Sequence, residues 1–506
     1  MEERSPTFQT ESPGELLGPE EKSLLLKQAA GSVKWSALGN LLPRLVSPVS
    51  TMILAAILTP ADFGTVAVST LVIALAQILV GLGLGPAVVQ RRTAVDEAAS
   101  VALWLSLSAA GVLYGLLWFA APWLAQVYHI PLVAPVVRVS GLSLFLFAMG
   151  SIPTALLQRD LRFRKLFWVE SLSQLTGVAT SLTLALLGAG VWALVVGPLA
   201  GAAVRTALAW FFARWRPLLA MSRAGVRPLL GFSAWMMGAS FQSWLFLYAD
   251  NAIAGYFLGE TGLGIYSLGF SLSNLLPGLV IPALSAVAYP AFCTLQSDRL
   301  EVGRSLLQLQ SMAAAVLFPV CFGLSAIAVP AVALLYGDKW QGLGEVIRLL
   351  AIMPGISHLW SLNADAYRAV GRPDVWTKLA GVTLLILMPL LLWAGRYGLM
   401  PFTYARFGGH FFYPLLNILF GGRVLGLSIK DQGRALATPL GCVLVMYALA
   451  LLLVRGFTPF AGVMGWLKLL VVMAIAAATY ILLLRIVNRD LWGRLLLASR
   501  QVLWRV

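Results

Sequence analysis

Apolar residues in this chain run for roughly 20 positions at a time, the length a helix needs to cross a bilayer, before charges, Gly or Pro interrupt them. Stretches such as Val191 to Val196 and Val443 to Leu453 hold no charged residue and no alternation. A transmembrane barrel would alternate polar with apolar, so the pattern predicts helices. They fall near 33–57, 62–88, 98–120, 134–157, 167–188 and 190–212, then 228–257, 263–291, 306–330, 344–366, 375–394 and 398–420, with two more at 434–454 and 463–487. Helix breakers mark the reversals, as in Leu58-Thr59-Pro60-Ala61 and Gly188-Ala189-Gly190.

The turn after the first helix, Leu58 to Val66, has a faint echo 200 positions on, from Leu258 to Tyr266, with Leu and Gly in register at 58/258 and 64/264. Six is an even number of crossings, so two six-helix units share one orientation and predict a pseudo-two-fold axis along the membrane normal. The expected organisation is a polar cytoplasmic tail (1–32), an N-terminal lobe (33–215), a C-terminal lobe (225–420), two extra helices (434–487) and a cytoplasmic tail (488–506). The fold class is an all-α polytopic membrane protein of about 14 transmembrane helices.

Composition agrees. Of 506 residues 59% are hydrophobic and 11% charged, against about 45–50% and about 25% in soluble domains. The net charge of +15 raises the question of nucleic acid, but its distribution excludes that partner. Arg91/Arg92, Arg159 to Lys165, Arg214 to Arg227, Arg299/Arg304, Arg368 to Lys378, Arg423 to Arg434 and the C-terminal arginines fall on one side of the predicted topology, leaving Lys339, Arg396 and Arg455 opposite. Both termini are therefore expected inside. The first 32 residues carry nine charged side chains and no apolar core of a cleavable signal. Cys293, Cys321 and Cys442 are far apart, with no metal-ligand spacing.

No connection is long enough for a folded domain, and phosphate-loop and HExxH motifs are missing. Gly81, Gly83 and Gly85 mimic half of a dinucleotide fingerprint but close a membrane helix instead of following a soluble strand. A transporter is expected, not an enzyme, with no cofactor and no metal.

Ionisable groups in hydrocarbon cost roughly 2.5–3.5 kcal/mol on insertion scales and usually face a cavity or a partner. Arg44 sits mid-span with Asn40 one turn earlier, between Pro43 and Pro48; this reads as an anion-accepting cavity or as an inter-helix ion pair. The seventh span carries Asp250 and Asn251, the eighth Asn274, the tenth Asn363. Asp250 could answer Arg44, couple a cation, or lie solvated at the interface. Asp365 and Arg368 read first as a local pair. Arg138, Arg205 and Arg406 are further candidates, some of which would snorkel to headgroups.

The segment from Gly81 to Arg92 (GLGLGPAVVQRR), the run from Tyr248 to Gly259 continuing to Tyr266, Tyr289 to Phe292 with Asp298, Gly337 to Trp340, and Gly371 to Pro373 resemble the polysaccharide-transport flippases. This family includes the Wzx-type O-antigen flippases of the multidrug/oligosaccharidyl-lipid/polysaccharide exporter superfamily. The resemblance implies two lobes in a V around a central cavity, and movement of an undecaprenyl-pyrophosphate-linked oligosaccharide from the inner to the outer leaflet by alternating access. It further implies a bacterial inner membrane, surrounding lipids, and possible Na+ or H+ coupling. The two extra helices resemble those of the lipid II flippase, where a hydrophobic groove holds the lipid tail. Arg44, Arg138, Arg205 and Arg406 would then supply charge to the cavity, with hydrogen bonds from Asn40, Asn251, Asn274 and Asn363. A Na+- or H+-coupled small-molecule exporter of the same superfamily, driven through Asp250, is the alternative; a glycolipid-modifying enzyme is more distant.

Overall fold

The computed structural model describes residues 46–81, 83–91, 94–218 and 223–503. Among these residues every regular element is helical. The first half contains α1 (Val46–Ile57), α2 (Pro60–Gly81), α3 (Leu84–Gln90), α4 (Val95–Val127), α5 (Val133–Ser140), α6 (Ser143–Arg159), α7 (Phe163–Leu186) and α8 (Val191–Ala213). The second contains α9 (Arg223–Thr294), α10 (Arg299–Tyr336), a 3-10 turn (Gly337–Trp340), α11 (Leu343–Leu350), α12 (Ile352–Ala369), α13 (Asp374–Gly395), α14 (Leu399–His410), α15 (Phe412–Leu416), a π turn (Asn417–Gly421) and α16 (Gly422–Val424). α17 (Ile429–Gly456), α18 (Gly462–Val487) and α19 (Arg489–Leu503) complete the chain. Nine stretches of the described residues are long and apolar enough to cross a membrane.

Three expected helices are interrupted. The stretch 134–157 is split between α5 and α6 at Gly141, where a Cβ would lie 2.9 Å from the Tyr114 ring. The stretch 344–366 divides into α11 and α12 at Ala351, and 398–420 breaks at Phe411 and again at the π turn. The segment 488–506, expected as a tail, carries α19.

α9 is two arms joined at Gly259, whose φ of 67° and ψ of −173° suit only glycine. In a straight helix Asp250 and Tyr266 would stand roughly 24 Å apart. Instead the Tyr266 hydroxyl donates to Asp250 Oδ2 at 2.7 Å, so the arms lie side by side.

Between helices in lipid the hydrophobic effect gives little drive, and close packing of small residues replaces it. α7 and α8 follow that rule. Gly197 and Gly201 form a GxxxG pair on α8; a Cβ on Gly201 would stand 2.9 Å from the Ser173 carbonyl, and one on Gly197 would overlap Ser181. α2 meets α9 the same way. A Cβ on Gly64 would overlap the Glu260 carbonyl, and one on Gly264 the Pro60 carbonyl. The two contacts exchange under an offset of 200 positions, the reciprocity of a two-fold relation at this crossing.

The halves are closed over one another at this end. Ala55, Val68, Tyr128 and Ile130 share an apolar core with Ala254, Tyr266, Trp340 and Phe402. The last carbonyls of α1 have no partner within their own helix, and the 3-10 turn supplies one: Trp340 Nε1 donates to the Ala55 carbonyl at 2.7 Å and Lys339 Nζ to that of Ile57 at 2.5 Å. Trp340 is fully buried, with Phe63 edge-on to its ring at 5.4 Å.

Candidate substrate cavity

Further along α2 from this closed end the helices part and leave two adjoining spaces. One, of about 600 Å³, lies among α2, α3, α6 and α8 and is bordered by Gln77, Ser143, Thr154, Gln158, Arg205 and Thr206. The other, of about 650 Å³, runs from Gln77 and Ser151 across to Ser240, Ser243, Trp244 and Tyr248 on α9. Gln77, Gly85, Pro86, Phe147 and Ser151 border both, so the two spaces adjoin along a shared wall and together make the cavity between the two halves. Ser143 Oγ is buried at its edge with no protein partner among the described residues. Arg205 is the one cation bordering it among those residues, and it is held by Glu170, with Nη2 2.7 Å and Nε 3.0 Å from Oε1.

A second space has opposite chemistry. About 720 Å³ lies between α10, α17 and α18, with α19 at one end, bordered by Val316, Val320, Met446, Val472, Ala476 and Trp492 among others. A narrower apolar fissure of about 170 Å³ shares Leu276, Val320 and Leu324 with it and reaches Met52 on α1.

Of the residues singled out in the sequence, Arg205 borders the polar cavity. Arg406 and Asp250 do not: both are 2% exposed, and Arg406 Nε lies 3.0 Å from Asp250 Oδ2, without the angle of a hydrogen bond. Tyr266 bonds the same carboxylate and Phe270 stacks on the guanidinium at 5.6 Å. Asn251 gives its backbone N–H to Asp250 Oδ1, and its own side-chain oxygen is buried without a partner among the described residues. Asn274 donates to the Phe270 carbonyl of its own helix.

Asn363 accepts from Gln310 at 2.7 Å and donates to Asn417 and Tyr367, a buried network that holds the π turn. Arg138 stacks on Trp118 at 4.8 Å and donates to its carbonyl, away from the cavity. Asp365 pairs with Arg368 at 2.6 Å as the spacing predicts. Arg44 and Asn40 lie outside the described residues.

Sequence reasoning passed over Gln77, Ser151, Thr154, Trp244 and Tyr248. Uncharged polar and aromatic side chains are common in membrane helices; only their convergence across α2, α6 and α9 distinguishes them.

These features define an all-α, multi-pass membrane protein with a polar cavity between two halves and an apolar groove beside them. The chain belongs to the family described as polysaccharide biosynthesis protein, which matches residues 53–345. It is 30% identical over 350 residues to the succinoglycan biosynthesis transport protein ExoT of Rhizobium meliloti, covering 69% of this chain and 71% of that one. It is 26% identical over 378 residues to the lipopolysaccharide biosynthesis protein WzxC of Escherichia coli, covering 74% and 76%. Among solved structures, the inward closed conformation of the lipid II flippase MurJ superimposes with a TM-score of 0.72 over 90% of this chain and 99% of that one, at 14% identity, a likeness of fold.

Proposed function

We propose that this protein is a flippase for a lipid-linked oligosaccharide, moving it from the inner to the outer leaflet for polysaccharide assembly, and that it changes no covalent bond. The observation that carries this reading is the pairing of a cavity bordered by Gln77, Ser151, Thr154 and Arg205 with a separate groove that is almost wholly apolar. An amphiphile whose sugars need water and whose tail needs hydrocarbon uses both. The polar cavity would take the head group, with Arg205 toward the pyrophosphate, and the groove on α10, α17 and α18 the polyprenyl tail, undecaprenyl in a bacterial inner membrane.

The two halves, 33–215 and 225–420, would rock about their closed end, with both termini cytoplasmic. Membership of a polysaccharide biosynthesis family and the names of the relatives support the substrate class. The exporter alternative asks Asp250 to bind a coupling ion, yet that carboxylate is already met by Arg406 and Tyr266.

The test is reconstitution. Purified protein in liposomes with fluorescent undecaprenyl-pyrophosphate oligosaccharide should speed its appearance in the opposite leaflet, with unchanged mass, relative to protein-free vesicles. No acceleration by folded protein under an imposed ion gradient would overturn the proposal.

A further inference from the structure

The wall of the polar cavity contributed by α9 is aromatic. Phe241, Trp244 and Tyr248 follow at i, i+3 and i+7 on one helix face. Trp244 is stacked with Phe241 at 5.8 Å and 22° and lies 6.4 Å and 36° from Tyr248. Such offset spacing lays the rings like shingles over about 10 Å of helix. Trp244 and Tyr248 border the cavity, and Phe241 is half exposed beside it.

The Trp244 ring is fixed by its edge: Nε1 donates to the Leu71 carbonyl of α2 at 3.0 Å. With that donor committed, what remains for a ligand is the apolar face. The facing wall is of another kind. Gln77 offers an amide and Ser151, whose hydroxyl donates to the Ala148 carbonyl, an acceptor oxygen, while Gly81, Gly83 and Gly85 add no side chain to this wall. Among the described residues no carboxylate borders the cavity.

The geometry points to a glycan-stacking platform: Trp244 and Tyr248, extended by Phe241, pack against the C–H faces of consecutive pyranose rings, while Gln77 and Ser151 hydrogen-bond the hydroxyls at the ring edges. A sugar ring has just this division into apolar faces and a polar rim, and rigid aromatic side chains bind it with little loss of rotamer freedom. The strip is longer than one ring, so it reads an oligosaccharide. Gly81, Gly83 and Gly85, which carry no dinucleotide chemistry, leave that part of the opposite wall without bulky side chains. This inference rests on the flippase reading and names the residues that would grip the head group.

The test uses full-length protein in liposomes with polyprenyl-pyrophosphate oligosaccharide extracted from the cells that encode it. Trp244→Phe keeps a ring face and loses the bond to Leu71; Trp244→Ala loses both. Trp244→Ala and, separately, Tyr248→Leu should slow the lipid's appearance in the opposite leaflet about ten-fold, the factor equal to about 1.4 kcal/mol of lost stacking. Trp244→Phe should stay within about two-fold. Saturation-transfer NMR with the glycan released from its lipid should mark pyranose C–H protons in wild type and lose that transfer in Trp244→Ala. Transport and saturation transfer unchanged in the folded variants, or Trp244→Phe as slow as Trp244→Ala, would overturn the platform. A wild-type protein that moves none of the lipid would fail the flippase reading itself, before any variant is made, and the platform with it.

Discussion

Arg406 on α14 and Asp250 on the first arm of α9 form an ion pair at 3.0 Å, each with only 2% of its side chain exposed. Two charges withdrawn from water are tolerable only together, and the Tyr266 hydroxyl and the Phe270 face complete the enclosure. The pair ties α14 to α9 inside the second half and leaves neither charge for the polar cavity.

Asp250→Ala should therefore destabilise the protein by about 3–5 kcal/mol, because it strands a buried guanidinium. The double variant Asp250→Leu with Arg406→Leu should recover most of the loss. Thermal unfolding in detergent across the double-mutant cycle measures the coupling. A stable Asp250→Ala protein that no longer responds to an ion gradient would instead restore the coupling role.

The Trp340 latch makes a conformational prediction. Trp340→Phe retains the ring contact with Phe63 but leaves the Ala55 carbonyl without its donor, a loss of about 1–3 kcal/mol for a buried acceptor. Distances between spin labels at Ala61 and Gln341, by electron–electron double resonance, should gain a longer population in this variant. Lys339→Ala should shift the same distribution less, since Lys339 and its contact with α1 are exposed.

Replacing Gly64 or Gly264 by Leu should separate α2 from α9, because each side chain would overlap a backbone carbonyl that has no rotamer to change. Either variant alone should abolish transport and lower the melting temperature. Gly111→Ala, where a Cβ meets nothing within 4 Å, should do neither. A functional Gly64→Leu protein would show that the crossing is not fixed.

Arg205→Ala should slow transport of a pyrophosphate-linked sugar by about ten- to a hundred-fold, in line with the roughly 1.5–3 kcal/mol of a charged hydrogen bond. Glu170→Gln, which frees the guanidinium, should retain activity. Leaflet-exposure rates for the two variants side by side separate a substrate contact from a purely structural pair, for which both would fail alike.

How much of this was legible follows from what each feature costs in a membrane. Among the described residues most helix positions were readable because apolar length is obligatory there, the start of the span expected at 33–57 lying outside those residues, and the reversal at Gly259 fell between the spans expected at 228–257 and 263–291. The local pair of Asp365 with Arg368 was readable from i,i+3 spacing. The partner of Asp250 was not, because Arg406 reaches it from another helix. The cavity was sought among charges, since these are expensive and conspicuous; among the described residues the structure borders it with Gln77, Ser151 and Thr154, whose cost in a helix is too small to stand out. The interruptions at Gly141 and the π turn depend on Tyr114 and Asn363, contacts that local sequence does not encode.

Gly64 and Gly264 also fix how motion would be distributed. Backbone in direct contact cannot slide far without losing it, but it can turn, so in the proposed rocking motion the crossing would serve as a fulcrum. Gln77 stands thirteen positions further along α2, roughly 20 Å from that point. A small rotation there would be magnified by lever arm into a wide sweep at the cavity.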